Sequence, residues 1–118
     1  MHKAILVVDD NRDAADSLAM LLEIGGHEVT AVYSAPDALR RASELRPAVI
    51  VMDLGLPEID GCELARRMRN MPELAGVRLV ALTGYGRDED RQRTRDAGFD
   101  HHLVKPVDLD ELERLVAA

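Results

Sequence analysis

The chain of 118 residues carries 15 Lys and Arg against 22 Asp and Glu, a formal net charge of −7, which argues against nucleic-acid or anionic-membrane binding by simple electrostatics. A single domain, residues 1–118, is expected, since this length buries roughly two-thirds of its unfolded surface without staples. Cys62 is the one cysteine, which excludes a disulfide within the chain, and neither a membrane span of ~18 apolar residues nor a signal peptide is evident, so a soluble cytoplasmic protein is expected.

Strand-like and helix-like patterns alternate along the chain. Ala4 to Val8 is an apolar strand that stops at Asp9-Asp10, and Ala14, Ala15, Leu18, Leu21 and Leu22 then recur at helical spacing until Gly25-Gly26. Glu28 to Val32 reads as a second strand. Ser34-Ala35-Pro36-Asp37 reads as a helix start, with Ser34 as N-cap and Pro in the first turn, and Ala38, Leu39 and Ala42 supply that helix's apolar face. The third strand, Ala48 to Met52, is apolar throughout and rich in β-branched residues, as suits a strand covered on both faces. It delivers one carboxylate, Asp53, into the loop Leu54-Gly55-Leu56-Pro57.

A third helix from about Asp60 has Leu64, Ala65 and Met68 to bury before Pro72, and Val77 to Thr83 is the fourth strand. Arg87 to Asp96 contains no apolar residue, so a helix there would be weakly anchored. His101 to Val104 is a short fifth strand. Asp108 opens a capping box for a last helix whose Leu109, Leu112, Leu115 and Val116 face inward. Five strands alternating with five helices imply an α/β fold, a doubly wound parallel sheet with helices on both faces.

In such a sheet all strand C-termini share one edge, and ligands bind there. That edge collects Asp9, Asp10, Asp53, Thr83 and Lys105. Singly these residues are ordinary, since the Asp pair could cap the first helix, Thr83 could be a plain strand residue and Lys105 could be solvated. Carboxylates a few ångströms apart repel by about 4 kcal/mol per pair at an effective dielectric of ~20, so one holds a proton or a cation sits among them. A hard divalent ion, Mg²⁺, suits a site with few carboxylates, waters and a phosphate oxygen. Lys105 and the Thr83 hydroxyl would add a cation and a donor, which together with the metal suit a transferring phosphoryl group. Asp53 is then the nucleophile, because a carboxylate can form an acyl phosphate.

With these motifs in place (Asp9-Asp10, Asp53 within MDLGLPEIDG, Thr83-Gly84 and Lys105-Pro106) the whole chain resembles the receiver domains of two-component response regulators. The resemblance implies a flavodoxin-like sheet with strand order 2-1-3-4-5. It also implies that Asp53 takes a phosphoryl group from a histidine kinase or histidine phosphotransfer protein. Mg²⁺ would be held by Asp10, Asp53 and the Gly55 carbonyl, with Asp9 acting through water, and Lys105 would pair with the phosphoryl oxygen. Thr83 would move toward the phosphoryl group, and the Lys105-Pro106 bond would be cis. Where the family usually has Tyr or Phe as a switch residue, this chain has His102. Gly55 and Tyr85 hold positions that, by resemblance, tune water access. The run AGFDHHLVKPVD resembles receivers attached to hybrid sensor kinases. Downstream, a protein partner or a covalently attached module would read the signal, without nucleic-acid contact or membrane insertion. The chain's own chemistry would be limited to self-catalysed Asp phosphorylation and slow autodephosphorylation.

Other readings account for less of the sequence. A haloacid-dehalogenase-type phosphatase needs a second Asp two residues after the first, where Gly55 stands. A dinucleotide site at Gly84-Tyr85-Gly86 lacks its third glycine, replaced by Glu89. A phosphorylation-independent pseudo-receiver, working as a protein-interaction module, would have no use for Asp10, Asp53, Thr83 and Lys105 together.

Overall fold

A computed structural model of the chain describes residues 3–84 and 86–117. The elements follow in the order β1 (Ala4–Val8), α1 (Arg12–Ile24), β2 (Glu28–Val32), α2 (Ala35–Leu45), β3 (Val49–Asp53), α3 (Gly61–Arg69), a 3-10 turn (Pro72–Leu74), β4 (Arg78–Thr83), α4 (Asp88–Ala97), β5 (His101–Val104) and α5 (Leu109–Ala117). All the strand pairs are parallel, in the order β2-β1-β3-β4-β5, as the sequence pattern and the resemblance led us to expect. The order reverses between β1 and β3, which opens a crevice at their C-terminal ends.

The period-2 geometry of the strands sorts their apolar residues into two cores. Leu6, Val8, Ile50, Met52, Leu79 and Ala81 face one way and pack with Ala38 and Ala42 of α2, Leu64, Ala65 and Met68 of α3 and Ala97 of α4. Ile5, Val7, Val49, Val51, Val80, Leu82 and Leu103 face the other way and pack with Ala15 and Leu22 of α1 and Leu112 and Val116 of α5. Burial on both faces explains why β1, β3 and β4 read as unbroken apolar runs rather than alternating ones.

The helix caps decide where each connection ends. Asn11 accepts from the Ala14 N–H at 3.1 Å and starts α1, so the first-helix cap is Asn11 and not the Asp pair before it. Ser34 accepts from Asp37 N at 3.3 Å, and Asp108 Oδ1 accepts from both Asp110 N and Glu111 N. The inward faces differ in detail from the apolar pattern. Ala14 is exposed, Leu21 is 44% exposed, and Leu115 is only half-buried. Thirteen residues of α1 cannot all reach the sheet, and Ala15, Ala19 and Leu22 take the contact stripe. Among the described residues no helix is long and apolar enough to cross a membrane.

Candidate functional site

The strand register assembles the site. Val8 pairs with Met52 and Asp53 pairs with Leu82, so the residue after β1, Asp9, lies beside the last residue of β3, Asp53. Thr83 pairs with Val104, which leaves Lys105 one step past the sheet edge. The Lys105 N–H donates to the Thr83 carbonyl at 2.8 Å, and the Lys105-Pro106 peptide is cis.

Ligand oxygens of Asp9, Asp10 and Asp53 all lie within 4.8 Å of one another. Asp9 is buried, Asp53 half-buried and Asp10 exposed, a gradient running from the core toward solvent. Asp53 is held at both oxygens: Oδ1 accepts from the Gly55 N–H at 3.2 Å and Oδ2 lies 3.3 Å from Lys105 Nζ. Asp9 Oδ1 accepts from the Asn11 N–H at 3.0 Å. Burial raises the Asp9 carboxyl above its ordinary value, and the Asp53 charge adds to that, while the Asn11 N–H and Lys105 oppose it. An all-oxygen donor set with more negative charge than Lys105 can offset fits a hard divalent cation such as Mg²⁺.

The raised Asp9 carboxyl carries a sign for stability. A carboxyl whose folded pKa lies above its unfolded value contributes stability below the unfolded pKa, and loses it as pH rises through the folded pKa. In metal-free buffer, Asp9→Asn keeps the acceptor for Asn11 and removes the charge. We expect it to be more stable than wild type at pH 7, with the gap narrowing at pH 4, as read by urea unfolding. A variant less stable than wild type at pH 7 would show that the carboxylate is not under strain.

Of the rest of the predicted set, Thr83 and Gly55 line a cavity with Asp53 and His102 faces α4. Thr83 is buried at the end of β4. Gly55 is exposed, and a Cβ there would sit 3.8 Å from Asp53 Oδ1, an ordinary contact, so the loop tolerates a side chain at that position. Tyr85 lies outside the described residues. His102 Nδ1 lies 3.0 Å from Thr94 Oγ1 on α4, and that hydroxyl donates its proton to the Arg91 carbonyl at 2.9 Å. The imidazole Nδ1 and the Thr94 hydroxyl are hydrogen-bond partners, so the side chain is directed at α4.

Three residues at the site have no role assigned from the sequence. Gly61 allows α3 to start against the β3 loop, since a Cβ there would lie 2.8 Å from Leu54 Cα, and its N–H donates to the Leu54 carbonyl at 3.2 Å. Asp90 and Arg93 of α4 join Asp53, Leu54, Gly55 and Thr83 around a cavity of about 220 Å³. The charged periodicity of α4 gives no sign of which side chains turn toward β3.

Known proteins match this chain over nearly its full length. A family model described as a response regulator receiver domain matches residues 5–117. An uncharacterized 14.6 kDa protein of Leptolyngbya boryana is 45% identical over 95% of this chain and 86% of its own. The polar-differentiation response regulator DivK of Brucella anthropi is 30% identical over 92% of this chain and 89% of its own. The chain spans about half the length of the transcriptional regulators it matches, 47% for RpaA of Synechocystis and 48% for PrrA of Mycobacterium leprae. Among solved structures, the receiver domain of the sensor histidine kinase PA1611 of Pseudomonas aeruginosa, with magnesium in its active-site cleft, superposes with a TM-score of 0.88 at 32% identity. That match covers 98% of this chain and 95% of the other. The chemotaxis response regulator CheY4 of Vibrio cholerae gives 0.90 at 26% identity, covering 98% and 99%.

Proposed function

The chain belongs to the response regulator receiver family, and from that premise we propose that it accepts a phosphoryl group on Asp53 from a phosphohistidine donor and changes conformation to signal. The observation that carries this reading is the placement of Asp53, with Oδ2 3.3 Å from Lys105 Nζ and with Asp9 and Asp10 oxygens within 4.8 Å. One Asp53 oxygen attacks phosphorus while the P–N bond of the donor breaks, and the electron pair leaves with the imidazole. Lys105 offsets the charge on one phosphoryl oxygen, and the Thr83 hydroxyl donates to another. Asp9, Asp10, Asp53 and the Gly55 carbonyl would hold Mg²⁺, with Asp9 acting through water, and the ion would supply countercharge to the phosphoryl oxygens. No other enzymatic activity is assigned beyond slow hydrolysis of the product.

The proposed partners are a histidine kinase or phosphotransfer protein upstream and, downstream, a protein or attached module that reads α4, β5 and α5, all in the cytoplasm. Only Thr94 and Ala97 of α4 are buried, so this helix is the cheapest element to shift. His102 is the proposed switch residue, and its bond to Thr94 ties any rotation of the ring to α4. The test uses phosphoramidate, a small donor with a P–N bond. With Mg²⁺ the intact protein should gain the mass of one phosphoryl group, and an unchanged mass would refute the proposal.

A further inference from the structure

The geometry points to Arg93 as a second cationic ligand of the phosphoryl group, acting from α4 through the cavity it shares with Asp53; the inference rests on Asp53 being the phosphoacceptor. The cavity of about 220 Å³ in front of Asp53 is lined by Asp53, Leu54, Gly55, Thr83, Asp90 and Arg93. Lys105, Asp9 and Asp10 lie outside that lining, so Arg93 is the one cation among the described residues around it. A phosphoryl group has three terminal oxygens, and Lys105 and a metal at the acidic trio account for two. The third meets the cavity, where Thr83 supplies a hydroxyl and Arg93 a guanidinium.

Arg93 is held in its present position by Asp60 and by the Cys62 thiol, both at the start of α3. Its ion pair to Asp60 Oδ2 spans 3.7 Å, beyond hydrogen-bond length, and its side chain is 55% exposed. Asp60 does not depend on that pair, because its Oδ1 already caps α3 by accepting from Cys62 N at 2.8 Å. One turn before Arg93, Asp90 adds negative charge to the same wall, and its Oδ2 is buried without a hydrogen-bond partner. Two fixed carboxylates, Asp53 and Asp90, therefore border a cavity that would receive a phosphoryl dianion. A guanidinium that turns from Asp60 into the cavity meets that charge and offers a planar fork to a phosphoryl oxygen. Because Arg93 belongs to α4, the same movement would transmit the state of Asp53 to that helix.

The alternative role for Arg93 is a pin between α3 and α4, and the two roles separate when each partner is changed in turn. Calorimetric titration with beryllofluoride and Mg²⁺ supplies a tetrahedral mimic of the phosphoryl group without requiring turnover. We expect Arg93→Gln to weaken binding about tenfold, the low end for a charge-assisted hydrogen bond, and Arg93→Lys to recover part of the loss. Asp60→Asn keeps the cap and removes the ion pair of Arg93, so it should bind as tightly as wild type or more tightly. Equal weakening in Arg93→Gln and Asp60→Asn would mark a pin and overturn the inference, as would an Arg93→Gln titration that overlays wild type. If wild type itself takes no beryllofluoride, or Asp53→Asn takes it equally well, the assignment of Asp53 falls and Arg93 with it.

Discussion

Asp53→Asn should take up no phosphoryl group from phosphoramidate and Mg²⁺ under conditions in which the wild type gains one. The replacement is close to isosteric, and the side-chain oxygen can still accept from the Gly55 N–H, which in the wild type donates to Oδ1 at 3.2 Å. What it removes is the charge beside Lys105, 3.3 Å away, and the nucleophilicity that a carboxylate has and a carboxamide lacks. Loss of labelling with an unchanged thermal melt assigns the chemistry to Asp53. Labelling at the wild-type level would place the acceptor elsewhere, and the arrangement of Lys105, Asp9 and Asp10 around Asp53 would need another explanation.

The second large effect is metal linkage. Three carboxylates share a site with oxygens within 4.8 Å of one another, and burial already raises one of them, Asp9. An ion that binds only the folded protein stabilises it by about 2.7 kcal/mol at a hundredfold excess over its dissociation constant, a rise of about 10 °C in melting temperature for a domain of this size. Asp10→Ala should remove most of that Mg²⁺ response, because it deletes one ligand while leaving the core untouched. The check is a pair of thermal melts in low-salt buffer, with and without Mg²⁺. A wild-type melt indifferent to Mg²⁺ would mean that the trio does not bind the ion.

Much of the fold was legible because its signals are local. Val49 to Met52 is apolar at every position and ends on an acid, and Ser34 and Asp108 stand where a cap is needed. Parallel strands then bring Asp9, Asp53, Thr83 and Lys105 to one edge by topology alone. The sequence was silent where a contact depends on distant partners. Arg69 reads as a surface residue, yet it donates to the Gly98 carbonyl at 2.9 Å, to the Val77 carbonyl at 2.7 Å and to Asp100 Oδ2 at 2.8 Å, joining α3 to the segments on either side of β4 and α4. His27 is buried and spans Lys3 N and Glu113 Oε2, both at 3.1 Å. No periodicity announces either.

The fourth helix marks the boundary between the two cases. The absence of apolar residues from Arg87 to Asp96 correctly signalled weak burial, with only Thr94 and Ala97 of the helix inside. The sequence did not reveal what holds it instead. Gly98 ends the helix at φ 105°, a left-handed geometry suited to glycine, and a hydrogen bond joins His102 to Thr94 across the gap to β5. The placement of Asp90 and Arg93 against the Asp53 cavity depends on the rotation of α4 about its own axis, which an all-charged face leaves undetermined.

The most direct measurement is to locate the phosphoryl group chemically. Borohydride reduces an acyl phosphate and leaves an alcohol in place of the carboxyl, so the modified residue survives proteolysis and can be read by peptide mass spectrometry. After phosphoramidate and Mg²⁺, the modified residue should be Asp53, the last residue of β3, and Lys105→Ala should lower its yield. Reduction at Asp9 or Asp10, or a phosphoryl group recovered on a histidine with Asp53 unmodified, would contradict the account.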